Sequence, residues 1–134
     1  MTKDNNPKTL KTDHIFRMTD DTGMLQHSLY GIPNRSMGYT SDDNARALIM
    51  AVKFYGQRRE KAVERLITKY LSFLCYAQSS DGTFRNFMAY NREFSEDKSS
   101  EDCFGRCLWA LCYTFSDPII SQNVKKTAWI FTVP

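Results

Sequence analysis

Apolar residues fall at helical spacing in three stretches of the chain. Ala45, Leu48, Ile49, Val52 and Tyr55 share one stripe, which predicts a helix from about Asp42 to Tyr55, ended by Gly56. Val63, Leu66, Ile67, Tyr70, Leu71, Leu74 and Cys75 make a longer stripe and predict a second helix over about Arg59 to Gln78. The short link Gly56-Gln57-Arg58 makes these two an antiparallel αα-hairpin. Phe104, Leu108, Leu111, Cys112 and Phe115 predict a third helix from about Glu101 to Phe115. Asp117-Pro118 then stops it and starts a fourth, which carries Ile119, Val124, Ala128 and Trp129, because proline suits a first helical turn.

The rest of the chain lacks that period. Residues 1–13 are polar, with Pro7 and few apolar anchors, and read as a disordered lead. Residues 14–40 hold apolar islands cut by Gly23, Gly31, Pro33 and Gly38, which predicts an ordered loop with one short helical turn near 22–30. Between Ser79 and Ser100, Ser80-Asp81-Gly82-Thr83 signals a turn and Phe84 to Met88 a short extended piece.

Two helix starts carry the same signature, an acidic pair followed about one turn later by an arginine. The first is Ser41-Asp42-Asp43-Asn44-Ala45-Arg46, the second Ser100-Glu101-Asp102-Cys103-Phe104-Gly105-Arg106, 59 residues further on. Ser41 or Asp42 is the expected cap of the first helix, and the acids suit the positive end of the helix dipole. A unit of two helices recurring at about 50–60 residues points to a helical toroid or solenoid. The expected fold is therefore all-α, an incomplete α/α toroid of about two αα-hairpins over residues 14–134, with a compact four-helix bundle as the rival. A closed ring needs several more hairpins than 134 residues supply, so the chain is expected to be the front of a larger, truncated domain.

Composition removes several function classes. A formal charge of +3 with interspersed signs gives no reason to expect a nucleic-acid partner, and Arg58-Arg59 with Lys61 is the only tight cationic cluster. No run approaches about 18 apolar residues, so no membrane span is expected. The polar amino terminus lacks a signal sequence, which leaves the cytoplasm as the default location. Cys75, Cys103, Cys107 and Cys112 have no CxxC pair and no histidine at zinc spacing, so free buried thiols are expected, and neither metal nor cofactor. No glycine-rich phosphate loop is present.

Four blocks taken in order carry a resemblance. They are Met18-Thr19-Asp20-Asp21-Thr22-Gly23-Met24-Leu25-Gln26-His27-Ser28, Gly38 to Leu48, Gln78 to Met88, and Ser99 to Leu111. From His14 to about Asp117 the chain resembles the opening of an α/α-toroid domain of the six-hairpin glycosidase superfamily. It is closest to domains of bacterial proteins associated with glycosyltransfer or mannoside-active enzymes. The resemblance implies a carbohydrate ligand in a pocket lined by the starts of the inner helices and the loops before them. It implies pocket positions for Asp20, Asp21, Gln26, His27, Asp42, Asp43, Asn44, Arg46, Asp81, Asn86, Glu101, Asp102 and Arg106. The family's later hairpins are missing, so the fragment is expected to be inactive alone.

The chemistry of these residues agrees in kind. Glycosidic bond cleavage commonly uses two carboxyl groups, and Asp42, Asp43, Glu101 and Asp102 supply candidates from two helix starts. Neighbouring helices lie roughly 8–10 Å apart, which leaves room for a sugar between such ends. Arg46 and Arg106 would hold hydroxyls or orient carboxylates. A structural role competes at each position: one acid per pair as a helix cap, and the arginines bridging to Asp43 and Asp102 on their own helices. Phe84 either stacks a sugar or fills the core, and Asp81 serves a turn first. A non-catalytic helical-repeat interaction module is the alternative function.

Overall fold

The computed structural model describes residues 10–132. Of the polar lead expected at 1–13, residues 1–9 lie outside the described residues, as do 133 and 134 at the other end. In chain order the elements are α1 (Asp13–Met18), β1 (Ser28–Leu29), β2 (Ile32–Pro33), a 3-10 turn (Arg35–Met37), β3 (Tyr39–Thr40), α2 (Ser41–Gln57), α3 (Lys61–Ala77), β4 (Phe87–Met88), α4 (Glu101–Ser116) and α5 (Gln122–Thr132). The chain is mostly helical, but it is not all-α. Two small antiparallel sheets, β1-β2 and β3-β4, are built from its loops.

The long helices follow the apolar stripes, with instructive shifts at their ends. Thr40, not Ser41 or Asp42, caps α2: its hydroxyl accepts from the Asp43 backbone N–H (3.1 Å) and donates to Asp43 Oδ2 (2.7 Å). The cap satisfies one of the free amides of the first turn and holds the Asp43 carboxylate beside it. The helix runs through Gly56, and the link becomes Arg58-Arg59-Glu60. Pro118 does not open the fourth helix. Asp117 Oδ1 accepts the Ile119 N–H (2.9 Å), so residues 117–121 form a link and α5 begins at Gln122.

α2 sits in the middle of the packing. Ala45, Ala47, Leu48, Ala51 and Val52 are all buried, more of its circumference than one stripe requires, because α3 and α4 both lie against it. The small alanines suit close approach on two sides. Arg106 meets Asp42 near the starts of α2 and α4, while Lys53 lies 5.6 Å from the Tyr113 ring towards their ends. The two helices therefore run parallel. Gln78 Nε2 donates to the Phe131 carbonyl (2.9 Å), so α3 and α5 also end together. Alternate helices share a direction, and hairpin α2-α3 is followed by hairpin α4-α5 in the same sense.

The segments that precede α2 and α4 gather over the end where those two helices begin. β3 pairs with β4 in the register Tyr39↔Met88 and Thr40↔Phe87, and Leu25 bridges to Tyr39. The helical turn expected near 22–30 is absent. A short α-helix lies earlier, at 13–18, and residues 28–33 form a hairpin whose turn residues Tyr30 (φ 51°) and Gly31 (φ 78°) are both left-handed. Phe115 and Cys112, expected inward, are exposed, and Phe115 leans on Trp129 at 4.8 Å between ring centres.

Candidate functional site

The two acid signatures meet. Arg106 Nη1, on α4, donates to Asp42 Oδ1 at the start of α2, and Arg46 Nη2 lies 3.7 Å from Asp42 Oδ2. Asp42 is thus held between two guanidinium groups, one from each signature. Both bridges differ from the sequence expectation, which paired Arg46 with Asp43 and Arg106 with Asp102. The Asp42 carboxylate raises Arg106 above the ordinary guanidinium range, and Asp102 adds to the field it feels.

The segment before α4 completes this end. Asn86 Oδ1 accepts the Asp42 N–H (3.1 Å), one of the free amides of the first turn, and the Asn86 carbonyl accepts from the Ser41 N–H (2.9 Å). Glu96 Oε1 accepts from the backbone of Asn86 (2.7 Å) and Phe87 (2.9 Å), tying the loop to itself. Beneath lie the buried thiols of Cys103 and Cys107. The hydrogen bond between them is the main reason Cys103 is lowered and Cys107 raised from the ordinary thiol value.

The other candidates separate by environment. Asp43 is engaged by the Thr40 hydroxyl, as described. Asn44 is fully buried: Oδ1 accepts from Met24 N (2.9 Å), while Nδ2 donates to the carbonyls of Thr40 (2.8 Å) and Met24 (3.3 Å). It pins the loop to α2 and faces no open space. Phe84 is likewise fully buried, 6.0 Å from Phe104, so the core reading of this residue is the one the structure supports. Asp81 is a turn residue that accepts from Thr83 N (3.0 Å) and Oγ1 (2.6 Å), and those bonds lower its carboxyl. Glu101 and Asp102 are exposed, and Glu101 borders a small cleft of about 230 Å³ with Lys98, Ser99 and Phe104.

A second polar group forms one residue before the cap. Asp20 Oδ1 accepts from Thr22 N (2.9 Å) and Gly23 N (3.2 Å), and Oδ2 takes the Tyr39 hydroxyl. Burial and then that bond push the Tyr39 phenol upward. Asp21 is exposed and pairs with Arg92 Nη2 at 3.2 Å. Gln26 is half-buried, with its N–H on the Gly38 carbonyl (2.9 Å), and His27 is exposed, with its carbonyl taking Asn34 N (2.8 Å). Tyr90, Arg92 and Glu96 were not anticipated from sequence. They lie in an aperiodic segment, and no motif marks them.

No helix among the described residues is long and apolar enough to cross a membrane, and no group of three or more His, Cys, Asp or Glu among them is placed to hold a metal ion. The chain matches no protein-family model, and no curated protein matches it.

Proposed function

We propose that the chain is part of an α/α-toroid domain of the six-hairpin glycosidase kind, acting on glycosidic bonds, and that its polar end binds a carbohydrate. One observation carries this reading: Arg106 of the second acid signature bonds Asp42 of the first, so the starts of two parallel helices from successive hairpins share one polar end. That is the arrangement in which a ring of hairpins collects polar groups around a common hollow. Within the four carboxylates, Asp42 is the positioned one, Asp43 serves the cap, and Glu101 and Asp102 stay open to solvent for proton transfer. Two hairpins supply one side of such a pocket, so binding rather than turnover is the readout.

The test is saturation-transfer NMR of the chain with methyl α-pyranosides of mannose, glucose and galactose. Binding that Asp42→Asn abolishes and Asp81→Asn leaves intact is expected. Binding untouched by Asp42→Asn would remove that carboxylate from the site. A second reading, a helical-repeat module that binds another protein, draws support from the exposed Leu29, Tyr30 and Ile32 on the β1-β2 hairpin. It predicts no glycoside binding at all.

A further inference from the structure

The loop between β4 and α4 holds a non-glycine residue in the left-handed region of backbone space. The Arg92 N–H donates to the Ala89 carbonyl (2.9 Å), the Ala89 N–H to the Glu93 carbonyl (2.9 Å), and Met88 bridges to Phe94. This is a tight hairpin whose last turn residue must be left-handed, a position at which glycine is usual. Arg92 occupies it at φ 70°. A non-glycine residue there is strained. What the arginine gains in return is an ion pair with Asp21, in which the two side chains are 60% and 80% exposed, and a hydrogen bond from Nε to Thr22 Oγ1 (3.1 Å). Exposed pairs contribute little. Strain of this kind concentrates at binding sites.

The same turn places Tyr90 beside the pair. Its ring is half exposed and lies nearly parallel to Tyr39 (20° between planes, 6.4 Å between centres), while Tyr39 is anchored on Asp20. Asp20, Asp21, Tyr39, Tyr90, Asn91 and Arg92 border a cleft of about 300 Å³. That volume is at the small end of ligand sites and suits one monosaccharide unit. Its chemistry fits as well. A pyranose has an apolar face of C–H groups for an aromatic ring, and vicinal hydroxyls that a carboxylate accepts from and a guanidinium donates to.

Resting on the carbohydrate reading above, we infer that this cleft is a saccharide subsite, with Tyr90 as the stacking platform and Asp21 and Arg92 dividing a pair of neighbouring hydroxyls. Arg92 is left-handed in order to aim its guanidinium across the loop at Asp21 and Thr22, whose Oγ1 accepts from Nε at 3.1 Å.

The experiment uses the full chain and the same three methyl α-pyranosides, titrated by saturation-transfer NMR alongside thermal melts. Arg92→Gly removes the guanidinium and places glycine where the turn favours it. Its melting temperature is expected to hold or rise while affinity falls roughly tenfold, the loss typical of a removed anchor. Tyr90→Ala should weaken binding by a similar factor. Wild-type binding that both variants retain overturns the subsite and leaves the carbohydrate reading standing. Absence of binding by the wild type, with Asp42→Asn equally silent, overturns that reading and the subsite with it.

Discussion

Asn44 holds the backbone of Met24 from both sides, accepting its N–H at 2.9 Å and donating to its carbonyl at 3.3 Å. Because Asn44 is on α2 and Met24 is in the loop ahead of β3, this one amide fixes where the Asp20–Asp21 turn sits relative to the helix start. Replacing it with alanine deletes three hydrogen bonds and leaves the Met24 and Thr40 groups without their partner. The expected loss is about 2–3 kcal/mol, read as a lower urea midpoint with an unchanged slope. A loss within about 0.5 kcal/mol would mean that water replaces the amide without cost and that the clamp is idle.

Gly23 tests the same clamp from the other side. A Cβ at this position would stand 2.5 Å from Asn44 Oδ1 and 3.0 Å from the Phe73 ring. Gly23→Ala must therefore displace the Asn44 side chain, and its cost is expected to approach that of Asn44→Ala. The two should be markedly non-additive, since the second change removes what the first has already dislodged. Additive losses would show that Gly23 matters for some other contact.

Asp42 and Arg106 invite a double-mutant cycle. Their side chains are 27% and 28% exposed, between the surface and buried regimes, and the expected coupling is about 1 kcal/mol. The Asp42–Arg46 pair is longer and its arginine 60% exposed, so its coupling should fall below about 0.5 kcal/mol. If the Arg46 coupling proves the larger, the link between hairpins is weaker than the link within α2, and the shared polar end loses its main tie.

How much of this was legible in the sequence follows from the range of each interaction. α2, α3 and α4 announce themselves because their stripes are long, and the starts of α2 and α4 also carry side-chain caps, both local signals. α1 is six residues long and shows no period to detect. The β1-β2 hairpin escaped notice because Tyr30-Gly31 is not the usual Asn-Gly signal for its turn. The motif residues divide for a similar reason. Asn44 and Phe84 lie in blocks that look chemical, yet burial decides their role, and burial is set by loops arriving from elsewhere in the chain. The Arg92 pair with Asp21 spans 71 residues, and nothing local foretells it.

Alkaline pH should weaken the fold. Burial pushes the Cys75 thiol up from 9.0 to about 11, and burial likewise raises Tyr39 and Tyr70 above 10.0. In each case the unfolded chain releases its proton first. The stabilisation is complete below the unfolded value and is lost as pH climbs through the folded one. The urea midpoint is therefore expected to fall between about pH 9 and 11, and Cys75→Ala should flatten that part of the curve. A midpoint that rises over this range would contradict the burial assigned to all three.

Tyr30 offers a prediction in the opposite direction. It is 97% exposed and left-handed at φ 51°, followed by Gly31 at φ 78°, so the turn that joins β1 to β2 has a large ring where asparagine fits best. Neither hydration nor backbone favours the tyrosine. Tyr30→Asn is expected to stabilise the isolated chain by roughly 0.5–1 kcal/mol, seen as a higher melting temperature. Leu29 and Ile32 flank it with 63% and 67% of their surface open, so the hairpin tip presents three apolar side chains to solvent. If the ring instead contributes through self-association, Tyr30→Asn will lower the melting temperature, and the melting temperature of the unmodified chain will rise with its concentration. Concentration-independent melting with a gain for the asparagine variant would leave tyrosine at this tip as a cost to the fold with no return in the isolated chain.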